Sequence, residues 1–65
     1  MPVGVVGTSA YIGAFGLRSL LRMPVGGSQP APFVTGFGSP VVAVGANHGR
    51  LYVGVAAGTI YRIDL

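Results

Sequence analysis

The chain has 65 residues, of which 51% are hydrophobic and 8% are charged, and its formal net charge at pH 7 is +3. This length predicts one small domain, and the lack of cysteine excludes a disulfide framework. The charged fraction is far below the roughly 25–35% typical of the surface of a soluble monomer. The composition therefore predicts that other chains cover much of this protein's exterior.

The types of the charged residues point to the same conclusion. All four cationic side chains are Arg, and Asp64 is the sole acidic side chain. Arg tolerates partial desolvation better than Lys does and forms forked hydrogen bonds, so it suits a protein interface. Four scattered arginines without runs of Lys argue against nucleic acid as a partner.

The N-terminal segment 3–17 is apolar and free of charge, but it is shorter than the roughly 20 residues of a membrane-spanning helix. Both Arg18 and Arg22 follow this segment, whereas the positive charge of a secretory signal precedes its apolar part. A small membrane-inserted protein that uses residues 3–21 remains an alternative.

The segment Leu17–Met23 has the spacing of a short helix. Arg18 and Arg22 are four residues apart and would share one helix face, and Pro24 would end the helix. Three of the five prolines lie in residues 24–32, together with a Gly-Gly pair, which indicates an extended linker. We therefore expect residues 1–32 to form an extended Gly/Pro-rich arm that anchors the protein.

Residues 33–65 alternate short β-branched or aromatic runs with turn residues, a pattern typical of strands. The runs are FVTGF, PVVAVG, RLYVG and TIYRI. The predicted fold class is mainly β: a small module that ends in a hairpin and is completed by oligomerisation, most simply as a homotrimer.

The closing hairpin has two alternative registers. A four-residue loop places Tyr52 opposite Tyr61, whereas a three-residue loop places Val53 opposite Tyr61. In the first register neither face of the hairpin is polar. An isolated hairpin is marginally stable in water, so a second subunit is expected to cover it.

The run GFGSPVVAVGANHGRLYVGVAAGTIYRID (36–64) resembles a small β motif of tail-fibre, head-fibre and related virion proteins of tailed bacteriophages. The resemblance implies a structural protein located in the virion, whose partners are other virion proteins of the capsid or tail. It covers less than half of the chain, and the turn at 55–57 lacks the usual Asp, Asn or Thr. The matching positions are Gly36, Gly38, Pro40, Gly49, Leu51, Tyr52, Val53, Gly58, Thr59, Ile60 and Tyr61.

The same Leu-Tyr-Val and Gly-Thr-Ile-Tyr runs also occur in β-propeller blades. A single blade cannot bury both of its faces and needs stacked neighbours. No second copy of the motif is recognisable in the sequence, so this alternative requires a propeller assembled from several chains.

Catalytic residues are scarce in this sequence. Asp64 and His48 are single members of their types, and acid–base catalysis usually needs two titratable groups. His48 is expected in a polar turn, although three copies about a threefold axis could hold a metal ion. We therefore predict a protein that is not an enzyme and has no cofactor and no metal.

The predicted function is a decoration protein, a fibre anchor or a minor capsid or tail component that binds its neighbours through apolar β surfaces. Aromatic residues often anchor such interfaces. The predicted interface combines the closing hairpin with aromatic and Arg side chains of the N-terminal region: Leu51, Tyr52, Val53, Ile60, Tyr61, Arg62, Tyr11, Phe15, Arg18 and Arg22.

Overall fold

A computed structural model describes residues 1–14 and 16–65. These residues form two antiparallel sheets, so the predicted mainly β fold class is confirmed. The strands in chain order are β1 (Val3–Val6), β2 (Ser9–Gly13), β3 (Leu20–Pro24), β4 (Ala31–Val34), β5 (Val41–Asn47), β6 (Arg50–Val55) and β7 (Ile60–Asp64).

The first sheet is a meander in the order β1-β2-β3-β4. A two-residue turn joins β1 to β2, and Gly7 adopts a φ of 59° there, which glycine reaches without steric cost. The turn after β3 is closed by a hydrogen bond of 2.8 Å from the Gly27 N–H to the Pro24 carbonyl. Gly26 has a φ of 84° at the third position of that turn, as a type II turn requires.

The second sheet is a meander in the order β5-β6-β7. His48 and Gly49 form the two-residue turn between β5 and β6, with φ values of 51° and 73°. Positive φ at both central residues is typical of the type I′ turn, whose twist matches that of the flanking strands. His48 therefore lies in a turn as predicted, and it is His48 rather than Asn47 that adopts the left-handed conformation.

The two sheets share one hydrophobic core. It contains residues from both sheets and from the connection between them: Tyr11, Leu20, Phe37, Val41, Leu51, Val53 and Val55. The aromatic ring of Phe33, next to the core, meets Tyr11 edge-on with the ring centroids 5.1 Å apart. Each sheet thus buries one face against the other, as in other two-layer β domains.

Backbone hydrogen bonds join the two halves of the chain. The N–H of Phe37 donates to the carbonyl of Arg18, and the N–H of Val41 donates to that of Leu17, at 3.1 and 3.2 Å. The Arg18 guanidinium also donates to the carbonyl of Gly38 at 3.2 Å. The segment before β3 is therefore fixed against the connection that leads into the second sheet.

The prediction of a helix over Leu17–Met23 is wrong. Leu20–Pro24 is the strand β3, which pairs with β2 on one side and with β4 on the other. A helix of one or two turns is unstable without tertiary support, whereas the strand gains hydrogen-bonded neighbours on both edges. The structure also places β1, β2 and β3 within residues 1–32, which differs from the predicted extended arm.

The closing hairpin adopts the register with the three-residue loop. Val53 lies opposite Tyr61, and the N–H of Val55 donates to the carbonyl of Thr59 at 3.1 Å. Gly58 supplies the positive φ, 100°, that this loop needs. The alternative with Tyr52 opposite Tyr61 is excluded.

Candidate interaction surfaces

Three residues of the predicted interface lie inside the protein's own core. Leu51 and Val53 are both 0% exposed, and Tyr11 is 6% exposed. In the observed register Leu51 and Val53 point from β6 towards the first sheet, together with Val55. These residues hold the two sheets together, so they are not available to another protein in the folded chain.

Three other predicted residues lie together on the outer face of the second sheet. Tyr52 and Arg62 are cross-strand partners, and Ile60 lies one pair further along on the same face, opposite Gly54. Ile60 is 72% exposed and Tyr52 is 39% exposed. This part of the prediction describes residues that a partner can reach.

An ion cluster closes one end of that outer face. The Oδ1 atom of Asp64 lies 3.2 Å from the Nε atoms of both Arg50 and Arg62. The three side chains are at least half exposed, so each pair contributes at most about 1 kcal/mol to stability. The outer face of the second sheet is therefore apolar in its middle and charged at its rim.

The remaining predicted residues are not brought together. Tyr61 lies on the inner side of β7, where its ring packs on Phe37 at a centroid distance of 5.2 Å. Arg18 and Arg22 are exposed, but Arg18 bonds to the inter-sheet connection and Arg22 lies on β3. Phe15 lies outside the described residues.

The outer face of the first sheet is an apolar surface that the sequence-based prediction missed. The cross-strand pairs Val3 with Ile12 and Ile12 with Leu21 place these three side chains in one row on that face. Val3 is 46% exposed and Val5 is 54% exposed. The face is formed by six apolar residues of three strands: Val3, Val5, Ala10, Ile12, Leu21 and Met23.

A signal for this face is present in the sequence. The six side chains recur with a period of two along three short segments, which is the spacing of one face of a strand. The helix predicted over Leu17–Met23 hid this signal, because it placed Leu21 and Met23 on a helix instead of a strand. The glycines of β1 and β2 further weakened the strand pattern.

The described residues form neither an enclosed pocket nor a group of three or more His, Cys, Asp or Glu side chains suited to a metal ion. Across residues 1–14 and 16–65, no helix is long and apolar enough to cross a membrane. Comparisons with protein-family models, with curated proteins and with solved structures find no match to this chain.

Proposed function

We propose that this chain is a non-enzymatic structural protein of a bacteriophage particle, where it binds other virion proteins through an apolar β surface. The observation that supports this function best is the outer face of the first sheet, whose six side chains are all apolar. Val3 and Val5 on this face are 46% and 54% exposed, in a protein with only 8% charged residues.

Leaving this apolar face in water is unfavourable. Burying apolar surface contributes roughly 25 cal/mol per Å². Contiguous exposed apolar patches are rare on soluble monomers and usually mark interaction sites. Val3 and Val5 lie at the open side of the face, and Ala10 and Ile12 in its middle are only 8% exposed. A partner would cover the exposed Val3 and Val5 and the half-buried Leu21 and Met23, which lie on either side of the buried Ala10 and Ile12.

The resemblance of residues 36–64 to bacteriophage virion proteins supports the location in a particle. The turn glycines of that motif, Gly49 and Gly58, both adopt positive φ, with values of 73° and 100°. The matching residues Leu51 and Val53 form the core of the second sheet. The motif therefore supports the fold of the module, and the outer face of the first sheet supplies the surface for attachment.

The test is incorporation into particles. A tagged wild-type chain and the variant Val5→Asp would be expressed during particle assembly, and their copy numbers in purified particles measured by gel densitometry. We expect Val5→Asp to lower the copy number at least tenfold, because docking would bury an unpaired carboxylate. Val25→Asp is the matched control, since Val25 is a 59% exposed valine in the turn after β3.

Equal incorporation of Val5→Asp and Val25→Asp would show that the outer face of the first sheet is not the attachment surface. Absence of the wild-type chain from purified particles would refute the virion role itself.

A further inference from the structure

The first hairpins of the two sheets have the same register. Gly4 pairs with Tyr11 in the first sheet, and Gly45 pairs with Tyr52 in the second. Adding 41 to each residue number of the first pair gives the second pair, and the same shift converts the other three pairs of β1 and β2 into pairs of β5 and β6. Both hairpins also have two-residue turns.

The third strands extend this correspondence. Tyr11 pairs with Arg22 on β3, and Tyr52 pairs with Arg62 on β7. The loop before β7 is one residue shorter than the loop before β3, so the shift changes from 41 to 40 for the third strand. The strands β1–β3 and β5–β7 are therefore two copies of one repeat, to which β4 adds a fourth strand in the first sheet.

Each copy of the repeat has two different faces. The front face is the one that carries the repeated glycines and Tyr. It consists of Gly4, Tyr11, Gly13, Leu20 and Arg22 in the first sheet and of Gly45, Tyr52, Gly54, Ile60 and Arg62 in the second.

The back face of each copy is the opposite, apolar one. In the first sheet it is the outer face described above. In the second sheet the corresponding residues are Val44, Ala46, Leu51, Val53, Tyr61 and Ile63.

The two copies pack front to back. Tyr11 and Leu20 on the front face of the first sheet lie in one core with Leu51 and Val53 on the back face of the second. The front face of the second sheet remains open, and on the back face of the first sheet Val3 and Val5 remain exposed, whereas Ala10 and Ile12 are 8% exposed. The contact within the chain pairs a front face with a back face, and the outside of the chain offers one more face of each kind.

The glycines of the front face show how closely the sheets approach. A Cβ atom on Gly4 would lie 3.0 Å from Cγ1 of Val44 and 3.5 Å from Cβ of Ala46. The corresponding Gly45 has no atom within 4 Å of such a Cβ. The residues that correspond to Val44 and Ala46 are Val3 and Val5, which lie exposed on the open back face.

The exposed fractions of corresponding front-face side chains also differ between the two copies. Tyr11 is 6% exposed and Leu20 is 0% exposed, whereas their counterparts Tyr52 and Ile60 are 39% and 72% exposed. Three charged side chains, Arg50, Arg62 and Asp64, lie on the second front face, and the counterparts of Arg50 and Asp64 are the uncharged Ser9 and Pro24. Arg62 corresponds to Arg22, which stays exposed although its sheet is packed.

We propose that the front face of the second sheet docks on the back face of the first sheet of a second copy of this chain. This contact repeats the one between the two sheets, with Val3 and Val5 of one copy over Gly45 of the next. The proposal rests on the proposed function, because it names a second copy of the chain as a partner of the same apolar face.

A head-to-tail contact of this kind closes into a ring if the rotation between successive copies divides a full turn. Rings of stacked sheets typically have about 4–8 members, which corresponds to about two to four copies of a chain with two sheets. The expected homotrimer falls within that range, with six sheets.

The test is the mass of the purified chain in solution, measured by size-exclusion chromatography with light scattering. Three variants place a carboxylate on the front face (Ile60→Asp), on the back face (Val5→Asp) and outside both faces (Val25→Asp). All three side chains are more than half exposed within the chain, so each variant should keep the fold, checked by circular dichroism. We expect wild type and Val25→Asp to be oligomers of about two to four chains, and the other two variants to be monomers.

A mixture of the two monomeric variants tests the head-to-tail geometry directly. Val5→Asp retains an intact front face, and Ile60→Asp retains an intact back face. A 1:1 mixture should therefore form a dimer of one copy of each, although neither variant associates alone. A contact between two back faces would instead leave Ile60→Asp dimeric on its own, because its back face is intact, and the mixture would form no dimer that contains Val5→Asp.

The proposal is overturned if the wild-type chain is monomeric at its highest soluble concentration, or if Ile60→Asp remains oligomeric. It is also overturned if the mixture of variants stays monomeric. The proposed function fails by a different result, which is the absence of the wild-type chain from particles, so the two failures are distinguishable.

Discussion

The contact between the two sheets depends on the lack of a side chain at Gly13. A Cβ atom at this position would lie 2.6 Å from Cγ1 of Val41 and 2.9 Å from Cγ of Pro2. Cβ of Val41 is itself 3.3 Å away, so rotation of the valine side chain would not relieve the crowding. The substitution Gly13→Ala must therefore push β5 away from β2 or displace the N-terminal residues.

The repeat provides a matched control for this substitution. Gly54 occupies the corresponding position of β6, and a Cβ atom there would meet Cβ of Ala43 at 3.4 Å, an ordinary van der Waals contact. Replacing glycine by alanine in a strand gains roughly 0.5–1 kcal/mol of conformational entropy in either variant. This gain cancels in the comparison, so the difference between the variants is the cost of overpacking, about 1–3 kcal/mol.

The assay is urea unfolding of both variants, followed by circular dichroism at a concentration where both are monomeric. Gly13→Ala should unfold at lower urea than wild type and Gly54→Ala at equal or higher urea, with an unchanged slope m. In a domain of this size the melting temperatures should differ by about 4–8 °C for each kcal/mol. Equal stability of the two variants would refute the close approach of the sheets at Gly13.

Three further substitutions test the core, a turn and the ion cluster by the same unfolding measurement. Leu51→Ala removes a side chain that is 0% exposed and should destabilise the chain by about 2–5 kcal/mol, whereas a cost below 1 kcal/mol would contradict its place in the core. His48→Asn should stabilise the chain by a few tenths of a kcal/mol, because Asn-Gly is the preferred pair for a type I′ turn; a loss of stability would argue against that turn. Asp64→Asn removes both ion pairs and should cost less than about 2 kcal/mol, and the cost should disappear in 1 M salt because both ion pairs are exposed. A larger loss that is insensitive to salt would mean that Asp64 does more than pair with the two arginines.

The register of the closing hairpin illustrates why the candidate surface was only partly predictable. Shifting one strand by a single residue exchanges the two faces of that strand, and Tyr52 and Tyr61 suit either a core or a surface. The loop decides between the registers through contacts outside the hairpin. The N–H of Ala56 donates to the carbonyl of Pro40 at 2.9 Å, and the N–H of Ala57 donates to Oγ of Ser39 at 3.0 Å.

Local sequence signals determined the β character of residues 33–65 and the positions of several turns. Gly49 and Gly58 lie in turns because their positive φ values carry no steric penalty for glycine, and this property does not depend on the rest of the fold. The low fraction of charged residues is likewise a property of the composition alone. This fraction is the basis for expecting a surface that binds other chains.

Only the tertiary structure decided that Leu20–Pro24 is a strand and that the sheets stack front to back. A strand of five residues is stable only with its neighbours in place, and the neighbours of β3 are the preceding and following strands of the meander, β2 and β4. The same holds for the open faces. Whether Ile12 or Tyr11 faces the core depends on how closely Gly4 and Gly13 let the second sheet approach, and this contact forms between residues about 30–40 positions apart in the sequence.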